Sequence, residues 1–108
     1  MKINLKKKTR NDSCEAVAVY DGHNVIVKKG GRITLDFDTH IRAIKIVKAY
    51  RENAEYVNTA GIILKDCIFS SPSSAAQFVT GRSTNGYEAW KVEPKKTLDK
   101  YLKEKGLR

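Results

Sequence analysis

One segment of the chain contains both a start signal and a stop signal for a helix. Ser71 precedes Pro72, and serine before a helix accepts an amide hydrogen bond, whereas proline at the first helical position has no N–H to leave unsatisfied. Gly81 suits the left-handed conformation that ends many helices. We therefore expect a helix of about two turns between them. Its buried side should contain Ala75, Ala76, Phe78 and Val79, and its polar side Ser73, Gln77 and Thr80.

The residues that follow predict a turn and then a strand. Asn85-Gly86 is typical of a tight turn. The strand should place Tyr87, Ala89 and Lys91 on one side and Glu88 and Trp90 on the other. Because the chain has few aromatic residues, we expect Trp90 to anchor the core in preference to stacking on nucleobases.

The N-terminal part predicts an antiparallel meander of three strands. Residues 14–20 alternate as a half-buried strand does, and Asp21-Gly22 is a hairpin signal before a second strand over 24–28. Alternation over 33–37 predicts the third strand. Between them, a turn that needs positive φ explains Gly30-Gly31 better than backbone contact with an anion does.

A long amphipathic helix is predicted next. Asp38 or Thr39 can cap it, and the pattern continues to about residue 53, which would make it the longest helix of the chain. One face is apolar, and the other is either a solvated basic surface or a ridge that follows phosphates. The apolar face contains Ala43, Ile44, Ile46, Val47 and Tyr50, the basic face contains Arg42, Lys45 and Lys48, and Ile41 and Arg51 fit neither.

The remaining elements complete a single α+β domain. Apolar runs at 62–64 and 67–69 predict two strands joined at Lys65-Asp66, and Thr97 caps a last helix that ends at Gly106. The predicted order is an N-terminal antiparallel β-meander, a long amphipathic helix, then a β-hairpin, short helix, strand and C-terminal helix. Residues 1–12 form a basic N-terminal arm or a first strand, and residues 13–108 form the domain.

The charge balance favours polyanionic partners. The chain has 21 Lys and Arg against 12 Asp and Glu, a net charge of +9, which suits nucleic acid or an acidic protein. The first ten residues contain the cations Lys2, Lys6, Lys7, Lys8 and Arg10 and no acid. No apolar run is long enough to span a bilayer, and no apolar segment follows the N-terminal cations, so we expect a cytoplasmic protein and no membrane partner.

The residue types that perform most chemistry are scattered. Cys14 and Cys67 lie far apart, and we expect two buried, reduced thiols, because a metal site would need His23 and His40 to converge on them. Nothing assembles a nucleophile with a base. The sequence therefore predicts a protein that is not an enzyme and that uses no metal or cofactor.

The candidate binding residues form three groups. Ser71 and Ser73 offer donors for a phosphate at a helix start, although capping alone explains a serine at 71. In the following turn, Arg82 offers a planar donor fork for phosphate or guanine, Ser83 offers a hydroxyl, and Asn85 has an amide that can read adenine. The third group consists of Lys91 and the basic helix face of Arg42, Lys45 and Lys48.

A longer pattern runs through these residues. Phe69-Ser-Ser-Pro-Ser-Ser-Ala-Ala-Gln-Phe-Val-Thr-Gly-Arg-Ser-Thr-Asn-Gly-Tyr-Glu-Ala-Trp-Lys91, followed by Lys96-Thr97-Leu98, resembles the signature of a small uncharacterised domain. That domain is found C-terminal to GIY-YIG-type nucleases and in other restriction-modification proteins, and it is similar to the RAMA (restriction-enzyme-adenine-methylase-associated) domain. The signature occupies 67–98, and this chain contains no GIY-YIG motif. The resemblance implies an association with DNA restriction or modification and supplies no catalytic residues.

Two functions agree with these patterns. The first is a non-catalytic nucleic-acid-binding module, with DNA favoured over RNA, in which the cationic arm and helix face supply salt-sensitive affinity. The second is a protein-interaction module or inhibitor that docks on a nuclease or methylase partner through complementary charge.

Overall fold

The N-terminal segment forms a strand in the interior of the sheet. A computed structural model describes residues 1–8 and 11–108. Its strands are β1 (Lys2–Lys8), β2 (Ser13–Tyr20), β3 (Val25–Val27), β4 (Cys67–Phe69), β5 (Lys91–Glu93) and β6 (Lys96–Thr97), and its helices are α1 (Ile44–Arg51), α2 (Pro72–Thr80), α3 (Gly86–Ala89) and α4 (Leu98–Glu104). Over these residues, the strands form one antiparallel sheet in the order β4-β3-β2-β1-β5-β6.

Strand β1 decides between the two alternatives for the N-terminal residues. It pairs with β2 along its length, from Lys2 opposite Val19 to Lys8 opposite Ser13. Ile3 and Leu5 are buried, whereas the lysines that alternate with them are exposed. The segment is therefore a strand inside the sheet. Arg10, the last cation of the predicted arm, lies outside the described residues.

The predicted meander is right in its first two strands and wrong in its third. Strands β2 and β3 form the expected hairpin, but 33–37 is not a strand. Arg32 makes single bridges to Glu15 and Ile62, after which the Thr34 N–H donates to the Val79 carbonyl of α2. The chain thus leaves the sheet for the helix layer, and β1 is the third strand of the meander.

The predicted hairpin over 62–69 is also wrong. Strand β4 pairs with β3, while Ile63 exchanges backbone hydrogen bonds with the Gly30-Gly31 turn. Gly30 has a φ of 98°, as a turn glycine should. A Cβ at Gly31 would lie 2.9 Å from the Glu15 carbonyl oxygen, so the close approach of three backbone segments explains the second glycine.

Helix α1 begins later and ends earlier than predicted. It is also shorter than α2 by one residue, so the prediction that it is the longest helix is wrong. The Asp38 carboxylate accepts from the His40 N–H and forms a turn instead of a helix cap. The Ala43 N–H, just before α1, donates to Oε1 of Gln77 on α2. A partner from the neighbouring helix therefore sets the start of α1, and local sequence does not record it.

Helix α2 has the predicted ends. Ser71 Oγ accepts from the Ser74 N–H at 3.1 Å, and Gly81 adopts a φ of 71°. Two residues of its predicted polar side, Gln77 and Thr80, are buried with the apolar side chains. The helix lies in the middle of the core against the inner face of β2, β3 and β4.

The segment predicted as a strand from Tyr87 is instead the helical turn α3. Asn85 Oδ1 accepts from the Tyr87 N–H and caps it. Trp90 is fully buried, and its Nε1 donates to the Pro72 carbonyl at 3.0 Å, which confirms the core-anchor prediction. Thr97 caps α4 as expected, and Leu98 and Leu102 of its apolar stripe are buried. None of the helices in the described part of the chain is both long and apolar enough to cross a bilayer.

The helices cover one face of the sheet and leave apolar side chains on the other. Val19 lies opposite Ile26, and Ile26 lies opposite Ile68, so these three form one row across β2, β3 and β4. Val19 is 39% exposed and Ile68 is 55% exposed. We refer to these three residues as the apolar row.

Candidate nucleic-acid interface

Two separate clefts divide the predicted site residues. The lysine cleft lies where β1 approaches the turn after α2, and it includes Ser83, Asn85 and Lys91. The serine cleft lies between the starts of α1 and α2 and strand β4, and it includes Ser71, Ser73 and Arg42. Lys45 and Lys48 line neither cleft; they lie with Glu52 on an outer side of α1.

The lysine cleft collects cations from distant parts of the sequence. Lys6 and Lys7 of β1 line it together with Lys91 of β5, because Asn4 of β1 pairs with Lys91 in the sheet. Among the described residues, Lys7 and Lys91 form no ion pair, and Lys6 only approaches the exposed Glu15 at 4.0 Å. The lining of this cavity of about 420 Å³ therefore includes two lysines, Lys7 and Lys91, that form no ion pair with a described carboxylate.

Hydroxyl and amide groups line the opposite side of the lysine cleft. The Thr84 hydroxyl bonds the Thr80 hydroxyl at 2.9 Å, which holds the turn against the end of α2. Asn85 uses Oδ1 to cap α3, so its Nδ2 is the group left to bind a ligand. The predicted reading of adenine would need both atoms of the amide. Asn85 is therefore better suited to donate to a phosphate oxygen, together with Ser83.

Arg82 lies beside the lysine cleft and does not line it. Its side chain is exposed, and Nη1 donates to the adjacent Gly81 carbonyl at 3.2 Å. The guanidinium can reach a ligand only by leaving that weak local contact. The structure thus brings Ser83, Asn85 and Lys91 together and leaves Arg82 at their edge.

The two predicted serines of the serine cleft have structural partners. Besides capping α2, the Ser71 hydroxyl bonds the Ser74 hydroxyl at 2.9 Å. Ser73 Oγ accepts from the Gly86 N–H at 2.9 Å and joins the starts of α2 and α3. Capping therefore accounts for Ser71, whereas the Ser73 hydroxyl still has a hydrogen to donate.

The two cysteines and Arg51 belong to the core. Burial raises the pKa of the Cys67 thiol to about 12 and also raises the pKa of Cys14, so both thiols stay protonated at neutral pH. Both are free and buried, as predicted. Burial lowers the pKa of the Arg51 guanidinium to about 10, which still leaves it charged. No group of three or more metal-ligating side chains occurs in 1–8 and 11–108.

A family model described as Domain of unknown function (DUF4357) matches residues 6–102. The chain belongs to this family. The DUF4357 match begins within β1 and ends within α4. It includes every residue that lines the two clefts except Leu5, which lines the lysine cleft beside Lys6. No curated protein and no solved structure matches the chain.

Three residues that line these clefts of the DUF4357 domain are not among the site residues predicted from sequence. The sequence leaves Lys6 and Lys7 in either a basic arm or a first strand, although the alternation of Ile3 and Leu5 with polar residues is typical of a strand. The periodicity places Gln77 on the polar side of the helix, although apolar residues flank it on both sides in the sequence. Its burial and its contact with Ala43 depend on α1, which no local pattern reveals.

Proposed function

We propose that this protein is a non-catalytic nucleic-acid-binding module, and that the lysine cleft is its interface. The observation that supports this most directly is the meeting of Lys6, Lys7 and Lys91 with Ser83 and Asn85 in one cleft. Lysines bind phosphates as point charges, while hydroxyl and amide donors fix the position of the backbone. DNA is the favoured polymer because of the sequence resemblance to a domain of restriction-modification proteins.

The charge of the lysine cleft suits an extended anion. Three lysines line it against one carboxylate, Glu88, and the whole chain has a net charge of +9. Each phosphate that a lysine neutralises releases condensed counterions, so affinity should fall steeply as salt rises.

The test measures binding of a labelled DNA duplex by fluorescence anisotropy at several salt concentrations. We expect the triple variant K6Q/K7Q/K91Q to bind at least tenfold more weakly, with a salt slope reduced by about 0.9 for each lost phosphate contact. The matched control is K45Q/K48Q/K95Q, which removes the same charge from exposed positions outside both clefts.

Two results would count against this proposal. Absence of DNA binding at low salt would remove the function itself. An equal loss of affinity in the control variant would mean that overall charge, and not the lysine cleft, carries the binding. An RNA duplex and a single strand of the same length, measured in parallel, identify the preferred polymer.

A protein-interaction module or inhibitor, docking on a nuclease or methylase, is the second candidate, and the apolar row favours it. Val19, Ile26 and Ile68 lie side by side on a sheet face that none of the described helices covers. In this case, a purified nuclease or methylase from the same host should bind the protein after all nucleic acid has been digested. V19K/I68K should then abolish the complex, and an unchanged complex would exclude this face as the interface.

A further inference from the structure

Gln77 places an unpaired donor in the serine cleft. Its side chain is 7% exposed and lines that cleft from α2. Oε1 accepts from the Ala43 N–H at 3.0 Å, which fixes which end of the amide is oxygen. Nε2 makes no hydrogen bond to any residue in the described part of the chain. No buried side-chain nitrogen or oxygen of the described residues lacks a partner, so Nε2 is accessible from the cleft and can donate to a ligand there.

The other polar groups around the serine cleft also favour an acceptor as ligand. Arg42 is exposed and pairs with no described carboxylate, and no Asp or Glu lines the cleft. The Ser73 hydroxyl, after accepting from Gly86, can donate, and Ser70 adds an exposed hydroxyl. A ligand here must therefore present hydrogen-bond acceptors, and a negative charge would be favourable.

Apolar side chains form the remaining wall of the serine cleft. Ile46 of α1 and Ile68 of β4 are both partly exposed and line it together with Phe69. The cavity measures about 590 Å³, within the range of small-molecule sites. Apolar walls beside a donor-rich rim suit a flat ring with acceptors on its edge and an anionic group attached.

We propose that the serine cleft binds a single nucleobase with a ring carbonyl, guanine above all, with its phosphate near Arg42. Guanine presents two adjacent acceptors, O6 and N7, whereas adenine pairs its N7 with an amino donor. Since its oxygen already accepts from the Ala43 N–H, the Gln77 amide presents its donor end to the cleft, which matches the two acceptors of guanine better than the mixed donor and acceptor edge of adenine. The base packs against Ile46 and Ile68.

The base can come from a free nucleotide or from an unpaired position in a bound strand. The serine cleft shares no residue with the lysine cleft. Binding of a free nucleotide is therefore independent of the proposed nucleic-acid interface, and the two proposals fail separately. K6Q/K7Q/K91Q should leave binding of a free nucleotide unchanged while it weakens binding of a strand.

The experiment titrates ¹⁵N-labelled protein with GMP, AMP and inorganic phosphate and follows amide signals by NMR. We expect saturable shifts of the Gln77 side-chain NH₂ with GMP, at least tenfold tighter than with AMP or phosphate. A short oligonucleotide with one unpaired guanine should bind more tightly than the same oligonucleotide with adenine at that position if the source is a strand, and no more tightly if it is a free nucleotide. Equal binding of AMP or of phosphate alone would overturn the proposal, as would no saturable binding of GMP.

Two variants locate the site. Q77E keeps an oxygen for the Ala43 N–H and removes the amide donor, so GMP affinity should fall at least tenfold. I68E changes an exposed residue in the wall of the cleft, so it should fold even if Q77E does not. Its affinity for GMP should also fall at least tenfold. V19E is the matched control, since Val19 lies on the same sheet face outside the cleft. Unchanged GMP binding in I68E would contradict this assignment.

Discussion

At the scale of single residues, the Arg51 guanidinium joins segments that share no strand pairing. Nε donates to the Phe78 carbonyl at 3.0 Å, and Nη1 and Nη2 donate to the carbonyl and hydroxyl of Thr34. The guanidinium carbon also lies 5.2 Å from the centre of the Phe37 ring. Arg51, which fits neither face of the predicted helix, thus donates hydrogen bonds that hold the irregular segment after Arg32 against α2.

R51K tests this role. Lysine keeps the charge but cannot donate in several fixed directions at once, so we expect the free energy of unfolding to fall by about 2 kcal/mol. Urea denaturation measures it. R42K, the same change at an exposed position before α1, should cost less than about 0.5 kcal/mol. Equal stabilities of the two variants would show that these hydrogen bonds contribute nothing net.

Asp66 gives the stability a dependence on acid pH. Its carboxylate accepts from Lys28 Nζ at 2.8 Å and from the Lys29 N–H at 2.9 Å. These bonds, that to Lys28 foremost, hold the Asp66 pKa below its ordinary value. Because the folded pKa is the lower one, this contribution is complete above the unfolded pKa and is lost as pH falls through the folded pKa.

D66N should therefore be less stable than the parent at neutral pH and equal to it near pH 2. The pair is partly exposed and screened by solvent, so we expect a difference of about 0.5 kcal/mol at pH 7. Thermal unfolding across this pH range measures it. A stability gap that stays constant down to pH 2 would assign the effect to packing and not to the charge.

At the scale of elements, the contact between α2 and α3 depends on one missing side chain. A Cβ at Gly86 would collide with the carbonyl carbon of Pro72 and with the Ser73 nitrogen. Both neighbours are backbone atoms, so neither can turn aside. This close approach also allows the Gly86 N–H to reach Ser73 Oγ and the Trp90 indole to reach Pro72.

G86A should consequently lose several kcal/mol of stability, about 3 or more, because α3 must move away from α2 and break both hydrogen bonds. The control is G22A, where φ is 95° but no atom lies within 4 Å of the added Cβ. That change should cost only about 1 kcal/mol of backbone strain. Chemical denaturation compares them, and similar losses would contradict the close-approach explanation.

The elements that could be predicted from sequence are those with local causes. The ends of α2, the β2–β3 hairpin and the Thr97 cap depend on residues a few positions apart, and all are confirmed. The start of α1 depends on Gln77, and the 33–37 segment depends on Arg51. Both partners come from other elements of the fold. A prediction based on periodicity therefore makes α1 too long and places a strand at 33–37, where none forms.

The candidate site divides in the same way. Ser83, Asn85 and Lys91 lie within nine residues of sequence, and the structure brings them into one cleft. Lys6 and Lys7 arrive through pairing of strands more than eighty residues apart. Ser71 and Arg42 share a different cleft with Gln77. Sequence reasoning thus selected suitable donors, but only the sheet order shows which of them act together.

At the scale of the whole molecule, β1 connects the two halves of the sheet. It lies between β2 and β5. Without β1, strands β5 and β6 would not pair with the half of the sheet that contains β2, β3 and β4. It also supplies Lys6 and Lys7 to the lysine cleft. Folding and the proposed binding surface therefore depend on the same short strand.

Deletion of residues 1–8 should for this reason abolish folding and not merely binding. The deletion removes the seven paired positions of β1 opposite β2 and the buried side chains of Ile3 and Leu5, each of which costs a few kcal/mol when lost from a core. Typical domains have only about 5–15 kcal/mol of net stability. We expect poor dispersion in the ¹H–¹⁵N NMR spectrum and no cooperative thermal transition.

The matched variant for this deletion is K2Q/K6Q/K8Q, which removes three cations and keeps the strand. All three side chains are exposed, and they alternate with positions that include the buried Ile3 and Leu5. This variant should unfold cooperatively near the parent temperature while binding DNA more weakly, because only its charge has changed. If the truncated protein still folds, residues 1–8 contribute only positive charge, as a cationic arm would, and the fold does not depend on β1.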